Sequence, residues 1–142
     1  MHETNAGGCL CGAVRYRTTG RPERTTACHC TFCQRLTGSA FGIWVTFRID
    51  NVAFDGDARQ AYEHRSDESG RWIRAEFCAR CGTTVGSTLE KGSGLYAIVG
   101  GTYDDTSWLS PEKHIWTRSA QPWVVIPADV PRFEKQAVAS SS

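Results

Sequence analysis

"CHCTFC", residues 28 to 33, sets three cysteines in six positions of a 142-residue chain that holds seven in all. The other four form two pairs, Cys9 and Cys11 in "GGCLCG" and Cys78 and Cys81 in "FCARCG". These seven thiols are a disulfide framework, one metal site, or two sites with different jobs. An odd number leaves one thiol over in any full pairing, and disulfides seldom persist in a reducing compartment. The N-terminal "MHETNAGGCLCGAVRY" lacks a basic region followed by an apolar run, so a cytoplasmic location is expected. Metal ligation is then the better reading.

The spacings suit it. A C-x-x-C turn lets two sulfurs converge on one ion, and Gly82 after the second pair permits the close backbone approach of a knuckle. In an extended segment, residues two apart share a face, so each C-x-C pair can also aim both sulfurs at one point. Thiolates select zinc or an iron–sulfur cluster, and tetrahedral sulfur sites favour zinc. Cys9, Cys11, Cys78 and Cys81 make four, enough to close a structural zinc site. Cys28, Cys30 and Cys33 make three, the pattern of a catalytic zinc whose fourth position takes water or substrate. Two zinc ions per chain are expected. The competing reading closes the triplet with a histidine: His29 lies between Cys28 and Cys30 and points to the opposite face in an extended segment, and His114 can fold back from "PEKHIW". Otherwise both histidines are polar core groups or support ligands from behind.

Around these clusters the chain reads as β-structure. Strand signals occur at 13–19, 41–49, 61–65, 71–77, 83–89, 94–101 and 113–118, with turn signals such as "DGD" (55–57) and "KGSG" (91–94) between them. No helical period is sustained for three turns; "TFCQRLTG" (31–38) offers one short helical turn before Gly38. A mainly β domain, folded as a sandwich or a partly open barrel, follows. The length suits a single domain over 1–134, with the small polar "KQAVASSS" (135–142) as a flexible tail.

Composition narrows the function classes. Sixteen Lys and Arg against fifteen Asp and Glu leave a net charge of +1, without the basic clustering that nucleic acid or anionic lipid attracts. No segment approaches the run of about 18 apolar residues of a membrane span. Arg35 is a candidate for a substrate carboxylate, and Ser39 and Thr37 for a substrate oxygen, against solvated or turn-stabilising roles. Trp44, Trp116 and Trp123 read first as core and second as pocket walls. Gly7, Gly8 and Gly12 read as turns around metal.

Four segments, "GGCLCGAVRY" (7–16), "CHCTFCQRLTGSAF" (28–41), "FCARCGTTV" (77–85) and "PEKHIWTRSAQPWVVIPADVPRFE" (111–134), resemble the glutathione-dependent formaldehyde-activating enzyme family, which shares its domain with centromere protein V. The resemblance implies a Mss4-like fold of short antiparallel sheets organised around zinc sites. It assigns Cys9, Cys11, Cys78 and Cys81 to structural zinc and Cys28, Cys30 and Cys33 to catalytic zinc. It also implies a carbon–sulfur lyase-like activity that forms or cleaves S-(hydroxymethyl)glutathione, with glutathione or a similar thiol and a small aldehyde as partners. Kinship with centromere protein V leaves a second reading, a non-catalytic zinc-stabilised interaction module.

Overall fold

The structure, a computed structural model, describes residues 3–65, 71–88 and 93–136. Among the described residues the strands are β1 (Thr4–Gly8), β2 (Arg15–Thr19), β3 (Arg24–Cys28), β4 (Gly42–Arg48), β5 (Val52–Asp55), β6 (Arg59–Arg65), β7 (Trp72–Cys78), β8 (Thr84–Thr88), β9 (Leu95–Val99) and β10 (Lys113–Ile115). The single α-helix among the described residues is α1 (Thr31–Thr37). The fold is mainly β, as the strand signals imply. Two compact units divide the chain: residues 1–24 with 45–109, and residues 25–44 with 110–142.

The first unit holds a three-stranded antiparallel sheet in the order β1-β2-β5 and an antiparallel run β9-β8-β7-β6. Its core is an aromatic series. Tyr16 meets Phe54 and Tyr103 edge-on, Phe54 meets Tyr96, and Tyr103 meets Trp108, with ring centroids 4.9 to 6.0 Å apart. Each buried phenol finds a partner: Tyr16 Oη pairs with Thr102 Oγ1 at 2.6 Å, Tyr103 Oη with Thr18 Oγ1 at 2.8 Å, and Tyr96 donates to Glu76 Oε1 at 2.7 Å. This satisfies the requirement that makes Tyr costly in a core.

The second unit pairs β10 with β3 in parallel, Lys113 opposite Thr26 and Ile115 opposite Cys28, and β4 follows β3 in the strand order. A parallel pair needs a long crossover, and here residues 29–112 supply it. This parallel pair adds to the short antiparallel sheets that were expected. β3 is buried from Thr25 through Cys28, so it lacks the half-buried alternation by which strands are recognised and gives no strand signal. β10 is shorter than the segment 113–118 suggests. Trp116 adopts φ 57°, which ends the strand, and a 3₁₀ turn spans Thr117–Ser119. The backbone groups freed there are met elsewhere: Trp116 N–H donates to Lys135 O at 2.9 Å and Thr117 N–H to Phe133 O at 3.1 Å. Lys135 is thus tied to Trp116, while residues 137–142 of the expected tail lie outside the described residues, as does Leu89 of the expected strand 83–89.

Gly7 and Gly8 belong to β1 and form no turn around metal. A Cβ on Gly7 would collide with Thr102 O and the Tyr16 hydroxyl, and one on Gly8 with Val14 O. They mark close approach of backbone and ring. Gly12, at φ 82°, does make the turn that follows Cys11.

Candidate metal centres

Each unit gathers one cluster of thiols. In the first, the sulfurs of Cys9, Cys11, Cys78 and Cys81 all lie within 4.8 Å of one another. Cys9 and Cys11 leave β1 in a turn, and Cys78 ends β7, so the first C-x-C pair sits at a strand exit and not inside a strand. Cys78, Cys81 and Gly82 make a knuckle: Gly82 N–H returns to Cys78 O at 2.8 Å with Gly82 at φ 81°, and Arg80 N–H donates to Cys78 Sγ at 3.3 Å. Val14 N–H donates to Cys9 Sγ at 3.2 Å. Buried Cys9 and Cys78 also pack with Val14 and Val85, so this cluster is part of the apolar core.

In the second, Cys28 closes β3, Cys30 caps α1, and Cys33 lies in its first turn. The cap explains the short helix. Cys30 Sγ accepts from Cys33 N–H at 3.3 Å, and Gly38 at φ 64° ends α1 with its N–H on Gln34 O. The three sulfurs again lie within 4.8 Å of one another, and among the described residues no histidine, further cysteine or carboxylate joins them. Cys28 and Cys33 are buried and Cys30 is half-buried, which makes Cys30 the open side of the triad.

Both clusters fit a zinc-sized ion. Zn–S bonds of about 2.3 Å place tetrahedral sulfurs about 3.8 Å apart. The separations are 3.6 Å for Cys9–Cys11, 3.8 Å for Cys11–Cys78 and 3.5 Å for Cys28–Cys30. A disulfide needs about 2.05 Å, so these are free thiols poised at ligand spacing. N–H groups aimed at the sulfurs of Cys9, Cys30, Cys33 and Cys78, among others, stabilise thiolates, the form that binds metal.

Proton distribution in the triad is uneven. Hydrogen bonds from the Cys28 and Cys33 sulfurs, outweighing burial, hold Cys30 down to about 3. Its thiolate in turn pushes Cys28 up to about 12, and both neighbours push Cys33 up. Without metal, then, the thiolate is favoured at Cys30 and the thiol at Cys28 and Cys33. In the four-cysteine cluster the Thr83 hydroxyl and amide bring Cys81 down to about 5. Burial raises Cys9, but the Val14 amide and the Cys11 and Cys78 sulfurs outweigh it and leave Cys9 lowered. The Ala13 amide favours the Cys11 thiolate, yet desolvation and the neighbouring sulfurs together push it up to about 11.

The two histidines pair with each other. His29 is fully buried, with Nε2 2.8 Å from His114 Nδ1 and the two rings stacked at 5.1 Å. Burial first, and then the partner histidine for His29 and the charge of Arg132 for His114, lower both and favour the neutral rings. Neither joins the sulfurs.

The remaining candidates separate. Thr37 Oγ1 donates to Cys33 O at 2.7 Å and Ser39 Oγ to Phe41 O at 3.3 Å, which are turn-stabilising roles. Arg35 is exposed in the last turn of α1. Trp123 is 71% exposed and is not core, because it lies in the irregular segment after Ser119. Trp116 is half-buried with the Arg118 guanidinium 5.3 Å from its ring centre. Sequence reasoning missed Gln34. Its Nε2 donates to His29 O at 2.8 Å and Ser119 O at 2.9 Å, and its Oε1 accepts from Gln121 at 2.8 Å. A glutamine on a helix carries no signal of such a clamp.

Fold and sites together define a mainly β protein with two thiol clusters of metal-ligating geometry. Residues 4–119 match the family model described as glutathione-dependent formaldehyde-activating enzyme, and the chain belongs to that family. The fold is similar to the crystal structure of a Rhodobacter sphaeroides protein, a structural-genomics target. That likeness has a TM-score of 0.53 at 19% identity and covers 89% of this chain and 98% of that one. No curated protein matches the sequence.

Proposed function

We propose that Cys28, Cys30 and Cys33 hold a catalytic zinc ion, that Cys9, Cys11, Cys78 and Cys81 hold a structural one, and that the protein is a carbon–sulfur lyase-like enzyme. Its reaction forms or cleaves S-(hydroxymethyl)glutathione or a related thiol–aldehyde adduct. One observation carries the reading: three sulfurs converge at ligand spacing without a fourth protein ligand among the described residues, and Cys30 is only half-buried. Family membership supports the thiol and aldehyde as substrate classes.

Zinc, when bound, supplies Lewis acidity and favours the thiolate form of a thiol at its open position. The chain's own part is geometry. The Cys30 cap on α1 and the Gln34 clamp on the His29 carbonyl hold the three sulfurs in one place. Buried Cys28 and Cys33 leave one side for approach, which orients thiol and aldehyde toward each other. Since thiols and formaldehyde combine unaided, positioning is the main contribution.

The same reading takes residues 1–134 as one zinc-binding domain, supported by a family match that includes parts of both compact units. No described helix is long and apolar enough to cross a membrane, and a cytoplasmic location is part of the proposal. The test is exchange NMR on glutathione plus formaldehyde with wild type and Cys30→Ser. Wild type is expected to accelerate exchange and the variant to lose the acceleration. No acceleration by wild type removes this substrate pair, and equal acceleration by the variant removes the catalytic role of the triad.

A further inference from the structure

Trp44 lies on β4, half-buried, and its indole Nε1 donates to Cys33 Sγ at 3.3 Å. Core packing asks only for apolar volume; a donor directed at one ligand sulfur is additional chemistry. A second observation concerns Gly42, two residues earlier on the same face of β4. A Cβ at this buried glycine would stand 2.9 Å from Trp44 Nε1 and 3.4 Å from its Cε2. The bare α-carbon is therefore what lets the indole lie back along the strand with its N–H on the sulfur. The hydrogen bond is weak while Cys33 is a thiol and becomes charge-assisted when Cys33 is a thiolate.

We propose that Trp44 is a positioning residue for the Cys28/Cys30/Cys33 centre, fixing the Cys33 sulfur and drawing charge from it through the indole N–H, with Gly42 providing the room. The inference rests on the triad as a metal centre. Donation to sulfur lowers the energy of its lone pairs, so Trp44 raises the energy of thiolate-to-metal charge transfer, while its hold on the Cys33 sulfur keeps that ligand in place for metal. It also holds a ligand that would otherwise compete with the incoming thiol as nucleophile.

The test is cobalt(II) loading of wild type, Trp44→Phe and Gly42→Ala, followed by near-ultraviolet absorption. Wild type is expected to take two ions. Trp44→Phe keeps a ring but removes the donor, and Gly42→Ala keeps the indole but displaces it. Both are expected to move a charge-transfer band to longer wavelength and to weaken the second ion by about tenfold. A folded Trp44→Phe protein with wild-type band and affinity overturns the inference. If that variant does not fold, an unchanged spectrum and affinity for Gly42→Ala overturns it instead. Uptake of a single cobalt ion by wild type overturns the metal reading of the triad and this inference with it, whereas two ions with an unaltered variant spectrum overturn this inference alone.

Discussion

Metal binding at the triad should release two protons near pH 7. In the metal-free state the thiolate is favoured at Cys30, held down to about 3, while Cys28 is pushed up to about 12 and Cys33 is raised as well. Ligation requires three thiolates, so Cys28 and Cys33 each give up a proton and Cys30 gives none. Protons therefore compete with metal as pH falls. Between pH 6 and 8 the apparent affinity should rise about a hundredfold per pH unit, or about 2.7 kcal/mol, twice the value of one pKa unit. Three ordinary thiols at 9.0 would instead give about a thousandfold. The assay is calorimetric titration of the second zinc equivalent, with the first preloaded, in buffers of different ionisation enthalpy. Two protons per ion support the uneven triad. Three protons would show that Cys30 is an ordinary thiol, and one or none that the triad is largely ionised beforehand; either result refutes the reasoning.

Two further outcomes test the scaffold. Gln34→Leu strips the His29 and Ser119 carbonyls and the Gln121 amide of their partner, so stability in denaturant should fall by about 2 kcal/mol, with weaker metal binding at the triad; an unchanged midpoint and unchanged affinity would remove the clamp. Gly7→Ala drives a methyl into the Tyr16 hydroxyl and Thr102 O and should cost about 2 kcal/mol, read as a lower denaturation midpoint at constant slope.

The grouping of sulfurs was legible because cysteine count and spacing are local facts: four and three converge as two pairs and a triplet. The short helix was legible too, since Gly38 ends it. Three strands were not. β1 reads "TNAGG", where glycines required by Tyr16, Thr102 and Val14 erase its strand propensity; β3 is buried on both faces, and β5 is four residues beside a turn. For β1 and β3 tertiary contact outweighs local preference, and for β5 the run is too short to signal. The histidine pair was half legible. Exclusion of His29 from the triplet follows from the alternating faces of an extended segment, but its partner lies 85 residues away in a parallel pairing that no local pattern signals. Gln34 and the reach of Trp44 to Cys33 likewise depend on where α1 and β4 place them.

The central claim is that the triad keeps an open position that takes a thiol, and zinc X-ray absorption tests it most directly. With two ions bound, one by four cysteines and one by three, the average is about 3.5 sulfurs per zinc at about 2.3 Å. Addition of glutathione should raise it to about 4. An average already at 4 sulfurs without added thiol, or one that glutathione leaves at 3.5, would contradict the account.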